Sequence, residues 1–164
     1  EGGVRSSLVA WGPKILRKQG FVDTESVFSA IDLAPTLLTL TGTPFPDGIT
    51  FDGESLVDTL IGDGGSRAAP IFFRRPPDRD SFSGVDDLPD LAIRSGQWKL
   101  LCEYDGSDAE LYNLKIDRSE SKNVAPDNPT IVTDLTQALL DWHKSMPPDN
   151  GATYSDPTAK RKVK

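Results

Sequence analysis

An α+β fold is predicted: an antiparallel β meander covered by a C-terminal helix, preceded by a strand–helix remnant of a larger α/β domain. Three features carry this. Residues 92–125, AIRSGQWKLLCEYDGSDAELYNLKIDRSESKNVA, read as short strands joined by polar turns, with an acidic link into a helix. The helix that follows places Ile131, Val132, Leu135, Leu139, Trp142 and Met146 at spacings of about three or four residues, as one buried stripe requires. Helices and strands are segregated rather than alternating, which is the α+β order. The front of the chain offers a single apolar strand, which alone would leave both its edges unpaired. The expected division is residues 1–66 as the end of the larger domain, 67–146 as a small α+β subdomain and 147–164 as a loose tail.

Taken in order, residues 7–11 (SLVAW) form a strand stopped by Gly12-Pro13. Residues 25–31 are extended. A helix starts at Asp32, whose carboxylate suits an N-cap; Pro35 falls in its first turn, and Gly42 suits the C′ position. Leu33, Thr36, Leu37 and Leu40 give it one apolar face. After the turn-rich GTPFPDGITFDG, residues 54–61 form a short helix with Leu56, Val57, Leu60 and Ile61 inward. Residues 70–73 (PIFF) are a strand, and residues 74–89 a polar loop long enough to signal function or disorder. Strands at 91–94 and 98–104 flank a Ser95-Gly96 turn. Residues 105–108 turn again, 110–113 form a strand, and Asn128-Pro129 supply a cap and an N1 proline for the last helix, running to Lys144.

Across 164 residues the net charge is −7 and the pI near 4.7, which disfavours nucleic-acid and anionic-membrane partners because both repel an acidic surface. No apolar run approaches the ~18 residues a membrane-spanning helix needs. The terminal Lys160, Arg161, Lys162 and Lys164 read as a loose basic tail. The chain opens on Glu1 in EGGVR, which reads as a piece of something longer.

Familiar catalytic constellations find little support. Cys102 is the one cysteine, so no intrachain disulfide can form; it falls in a strand-like run and reads as a buried apolar side chain. His143 is the one histidine, which removes His-cluster and HExxH zinc sites. Ser6, Ser7 and Ser29 have no local base partner. Neither Gly2-Gly3 nor GDGG at 62–65 is followed by the Lys-Ser/Thr of a phosphate loop. Asp86-Asp87 with Asp90 offers oxygens for a hard cation but reads better as a solvated loop. Asp105, Asp108 and Glu110 flank a turn, ordinary hairpin chemistry. Arg74, Arg75 and Arg79 are the best anion-recognition candidates, since guanidinium presents a planar fork to sulfate, phosphate or carboxylate; the plainer reading is that they offset the acidic surface.

Four segments, in order, resemble the C-terminal part of the sulfatase family, in the alkaline-phosphatase-like superfamily. EGGVRSSLVAWGPKI resembles its EGG-x-R-x-P-x-x-x-x-W-P-G-x-I segment. SAIDLAPTLLTLTGTPFP and DGESLVDTL resemble its S-x-x-D-x-x-P-T-x-L-x-L-x-G-x-x-x-P helix and D-G-x-S-L-x-x-x-L stretch. AIRSGQWKLLCEYDGSDAELYNLKIDRSESKNVA resembles its A-x-R-x-G-x-W-K-L hairpin and E-L-Y-[DN]-L-x-x-D-x-x-E-x-x-N sequence, and LTQALLDWHKS its last helix. Ser7 stands where the family has Pro, and Gly12-Pro13 inverts its Pro-Gly. The segments are more similar to bacterial glycosaminoglycan-type and aryl-type sulfatases than to phosphatases of the superfamily.

The resemblance implies a longer enzyme that hydrolyses sulfate esters, using formylglycine made from C-x-P-S-R and a calcium ion, with sulfated polysaccharide, glycosaminoglycan sugar or aryl sulfate as substrate. None of those catalytic positions lies in this chain, and Cys102 is outside any C-x-P-S-R. No catalytic or metal residue is therefore carried over. The implied partner is the N-terminal catalytic part of the same protein, and the implied setting is periplasmic or secreted. In family members the loop before the A-x-R hairpin approaches the substrate, which makes Arg74 and Arg75 the substrate-binding candidates. Two other readings stay open at this point: a non-enzymatic binding or scaffold module, and a phosphate or phosphonate ester hydrolase of the same superfamily.

Overall fold

The computed structural model describes residues 6–18, 20–75 and 89–147. They fall into two compact units, Glu1–Ile71 and Phe72–Lys164. The elements are α1 (Leu33–Thr41), α2 (Val57–Ile61), β1 (Ile71–Arg74), β2 (Leu91–Ser95), β3 (Trp98–Cys102), β4 (Glu110–Asn113) and α3 (Pro129–Ser145).

The first unit is organised around a buried carboxylate. A 3-10 turn, Ala30–Asp32, leads directly into α1, and Gly42 ends the helix in the left-handed region (φ 66°) as expected of a C-terminal glycine. Asp32, however, does not cap α1. Its Oδ2 accepts from the Ser29 amide at 2.8 Å, and its Oδ1 accepts from the Glu54 amide at 3.0 Å and pairs with the Arg67 guanidinium. Both partners are essentially sealed from water, at 0% and 2% side-chain exposure for Asp32 and Arg67. The other Arg67 donors are satisfied by carbonyls, Nε by Ala69 at 2.9 Å and Nη2 by Asp52 at 3.1 Å.

The same clamp explains why α2 starts at Val57 and not at Glu54. The amides of Glu54 and Leu56 donate to Asp32 Oδ1 and to Thr36 Oγ1 (2.9 Å), so residues 54–56 are drawn out of the helix. The Glu54 carboxylate turns the other way and accepts from the amides of Ala68 and Ala69 at 2.7 and 3.0 Å. Gly53 lies against this junction. A Cβ there would run into the Ile31 carbonyl and sit 2.8 Å from the Asp32 amide nitrogen, both rigid backbone. Gly53→Ala is therefore expected to cost about 1–3 kcal/mol as an overpacking substitution. Urea unfolding that leaves the midpoint unchanged would show that the junction yields.

One expectation fails in this unit and another holds only in part. Residues 7–11 are not in a strand, and Val9 and Trp11 are 86% exposed. A strand requires a neighbouring backbone to satisfy its amides, and none pairs with these residues among those described. The apolar face read on α1 is covered only in part: Thr36 is buried and Leu40 half-buried, while Leu33 and Leu37 are exposed.

The second unit is the predicted meander. Its sheet has the order β1-β2-β3-β4. β2 and β3 pair antiparallel with Ile93 opposite Leu100, and β3 and β4 with Leu100 opposite Leu111. Strand alternation then puts Leu91, Ile93, Leu100, Cys102 and Leu111 on one face, where they pack with Leu139 of α3 into a fully buried core. The β2–β3 turn is Gly96-Gln97, one residue later than expected, with Gly96 at φ 55° as a two-residue hairpin demands. Pro129 opens α3 as predicted, but the Asn128 side chain donates back to the Val124 carbonyl at 2.8 Å rather than capping forward. Phe72 stacks on Trp142, rings 5.1 Å apart and nearly parallel.

The opposite sheet face is polar. The register sets Arg94 opposite Lys99, two like charges that oppose pairing. Lys99 Nζ is compensated by the Glu120 carboxylate at 2.8 and 2.9 Å. Glu120, Asp117 and Asn123, the polar positions of the D-x-x-E-x-x-N segment, all serve the fold. Asn123 Oδ1 accepts from the amides of Leu111 and Ala125 at 3.1 and 2.9 Å. Asp117 accepts from the Ser121 and Lys122 amides, each at 2.9 Å, and from two serine hydroxyls. The Lys122 and Ser121 amides hold the Asp117 carboxyl down to about 2 from 3.8. A depressed carboxylate stabilises the fold above its unfolded pKa and ceases to as pH falls through the folded one. The Ser121 and Lys122 amide resonances are accordingly expected to move between about pH 3.8 and 2 in NMR spectra; movement centred near pH 4 would contradict the bonding.

Candidate functional site

Arg74 ends β1 and Arg75 follows it, both half-buried. The two are held differently. The Arg75 amide donates to the Asp90 carbonyl at 2.8 Å, its Nη2 to Asp90 Oδ1 at 3.1 Å, and its carbonyl accepts from the Tyr104 hydroxyl at 2.6 Å. Main chain and side chain of Arg75 are thus tied to the residue before β2 and to one just after β3. Its buried Nε has no hydrogen-bond partner among the described residues. Arg74 makes no ion pair or side-chain hydrogen bond among the described residues.

Glu103 completes the cluster. Its carboxyl is pushed up from its ordinary value, first because burial strips its hydration, then because the neighbouring Asp90 carboxyl disfavours its charged form; Arg75 acts in the opposite direction. The Asp90 carboxylate beside the guanidinium offsets its charge. The Tyr104 ring lies against the His143 imidazole, centroids 5.1 Å apart and the rings tilted by 31°.

The remaining candidates show no catalytic arrangement. Cys102 is wholly buried, as predicted, and burial pushes its thiol up to about 11, far from a reactive thiolate. It does not fit a formylglycine precursor. Asp105 accepts from the Ser107 amide at 2.9 Å and Glu110 from the Tyr112 hydroxyl at 2.9 Å, both within the hairpin. Among the described residues no group of three or more His, Cys, Asp or Glu is placed to hold a metal ion, so the calcium that the resemblance implies finds no fit here. No helix among them is long and apolar enough to cross a membrane. Gly2, Gly3, Arg79, Asp86, Asp87 and the basic tail lie outside the described residues.

The sequence marks neither Asp90 nor Tyr104 as a partner of Arg75. Their contacts join positions 15 and 29 residues apart, and no local pattern marks them.

Comparison with known proteins bears out the motif reading. No family model matches the chain. It is 31% identical over 143 residues to arylsulfatase K of Mus musculus, covering 85% of this chain and 25% of that protein. To the N-acetylgalactosamine-6-O-sulfatase of Bacteroides thetaiotaomicron it is 28% identical over 154 residues, covering 85% and 27%. Among solved structures, one from a study of glycosaminoglycan metabolism by Bacteroides thetaiotaomicron matches with a TM-score of 0.55 and 26% identity, covering 73% of this chain and 25% of that one. Ps i-CgsB in complex with k-i-k-neocarrahexaose matches with a TM-score of 0.55 and 27% identity, covering 71% and 24%. An α+β sheet-and-helix unit with these motifs defines a part of a sulfatase fold, and the chain belongs to the sulfatase family. It spans about a quarter of the length of the relatives it matches.

Proposed function

We propose that the chain is the C-terminal part of a sulfatase that, as a whole protein, hydrolyses sulfate esters of glycosaminoglycan or other polysaccharide sugars. The observation that carries this is the match over 85% of the chain to proteins named as sulfatases, one of them an N-acetylgalactosamine-6-O-sulfatase. Calcium and formylglycine would be housed in the N-terminal catalytic part, and the setting would be periplasmic or secreted. That N-terminal part is also the expected cover for the α1 face, where Ile31, Leu33 and Leu37 expose apolar surface that a finished protein would bury. Arg74 and Arg75 are this chain's contribution to choosing the sugar.

The test is to express the full-length protein and the 164-residue chain side by side and assay both against sulfated monosaccharides, aryl sulfate, phosphate esters and phosphonate esters. Turnover of sulfate esters by the full-length protein alone, with calcium bound only by it, is the expected result. Preference for phosphate or phosphonate esters, or turnover by the short chain, would overturn the reading. Arg74→Ala and Arg75→Ala in the full-length enzyme are both expected to lower kcat/KM on sulfated sugars, Arg74→Ala by about tenfold, the worth of a charge-assisted contact. Unchanged values across the panel would remove the two arginines from the site.

A further inference from the structure

The geometry around Arg75 separates the roles of the two arginines. We propose that Arg74 is the sugar-reading residue, and that Tyr104 and Asp90 are positioning residues that act on it through Arg75. The inference rests on the substrate reading above.

The two arginines are held differently. Arg75 is fixed through its backbone amide and carbonyl, and its guanidinium through Nη2. Its charge is matched by Asp90. An incoming sulfate or carboxylate would meet the Asp90 carboxylate already paired with this guanidinium, which is unfavourable. Arg74 has no such partner among the described residues, and it stands one peptide bond away.

That peptide bond is where the positioning occurs. The amide of Arg75 and the carbonyl of Arg75 are each fixed by a hydrogen bond, at 2.8 and 2.6 Å, so the plane of the Arg74–Arg75 peptide and the direction of the chain beyond it are set. On the other side Phe72 is stacked on Trp142 of α3. Arg74 is therefore braced on both flanks, by the helix through Phe72 and by the ends of β2 and β3 through Arg75. Tyr104 is itself backed by the His143 ring on the same helix. A long cationic side chain loses its advantage in binding if its root is loose, because ordering it then falls to the substrate.

The experiment uses the full-length enzyme with 6-O-sulfated N-acetylgalactosamine and an aryl sulfate that lacks a sugar. Tyr104→Phe removes one hydroxyl and keeps the ring. It is expected to raise KM for the sulfated sugar about threefold to tenfold, with a smaller change in kcat, and to lower the sugar-over-aryl selectivity ratio. Asp90→Asn is expected to do the same, and serves if Tyr104→Phe folds poorly. In an Arg74→Ala background either substitution should have almost no further effect on that ratio. An undiminished effect in that background, or an equal loss on both substrates, would mean that Tyr104 is only structural and would overturn the inference. No change in either single variant would overturn it also. An Arg74→Ala variant with an unaltered ratio would overturn the inference directly, whereas a wild-type enzyme that turns over no sulfated sugar would sink the substrate reading on which it stands.

Discussion

Asp32→Ala is expected to destabilise the full-length protein by about 3–5 kcal/mol, the cost of leaving a buried charge without its partner. The partner is Arg67, 2% exposed, whose guanidinium would remain sealed in the first unit with only the half-buried Glu54 carboxylate, 3.9 Å from its Nε, to offset it. The same substitution strips acceptors from the Ser29 and Glu54 amides. Arg67→Ala should cost a similar amount from the other side, because it leaves the carboxylate of Asp32 buried and frees the Asp52 and Ala69 carbonyls. The double variant is expected to cost less than the sum, by about 1–3 kcal/mol, since the second truncation no longer strands a charge. Urea unfolding of the four proteins measures this coupling. Strict additivity would show that the two side chains do not stabilise one another, and that the clamp is held by backbone hydrogen bonds alone.

The clamp also shows what was legible in the sequence and what was not. The meander was readable because its determinants are local. Alternating apolar residues, a glycine able to take φ 55° at position 96, and an unbroken 3–4 stripe on α3 each act within a few positions of themselves. Asp32 was misread as a helix cap because the group that claims it is Arg67, 35 residues further on. Glu54 and Leu56 were read as helical for the same reason: nothing nearby reveals that Asp32 and Thr36 take their amides. Residues 7–11 have strand composition, yet composition cannot supply the neighbouring backbone a strand needs. At the candidate site the arginines were visible as residue types, whereas the difference between them depends on Asp90 and Tyr104, which the fold alone brings to Arg75.

Leu139→Ala should cost about 2–5 kcal/mol, at the level of a large cavity in a core that cannot collapse. Leu139 is the one fully buried residue of α3, and it meets Leu91, Ile93, Leu100, Cys102 and Leu111. The opposite face of the sheet carries Arg94, Lys99, Glu110 and Tyr112, so this apolar layer is what holds the helix to the strands. Neighbouring contacts from Leu135, Leu140 and Trp142 are only partly buried and cannot refill the space without exposing themselves further. Leu139→Met, close in volume, should cost less than about 1.5 kcal/mol. Hydrogen exchange locates the effect: amides of β2, β3 and β4 should lose protection together in Leu139→Ala, while α1 and the Asp32 clamp, in the other unit, keep theirs. Equal loss in both units would mean that they unfold as one cooperative body. Retained protection throughout would mean that α3 is held to the sheet elsewhere. If the positioning of Arg74 through Tyr104 is correct, the same variant should lose sugar selectivity before it loses its fold, because Phe72, Trp142, Tyr104 and His143 connect the two.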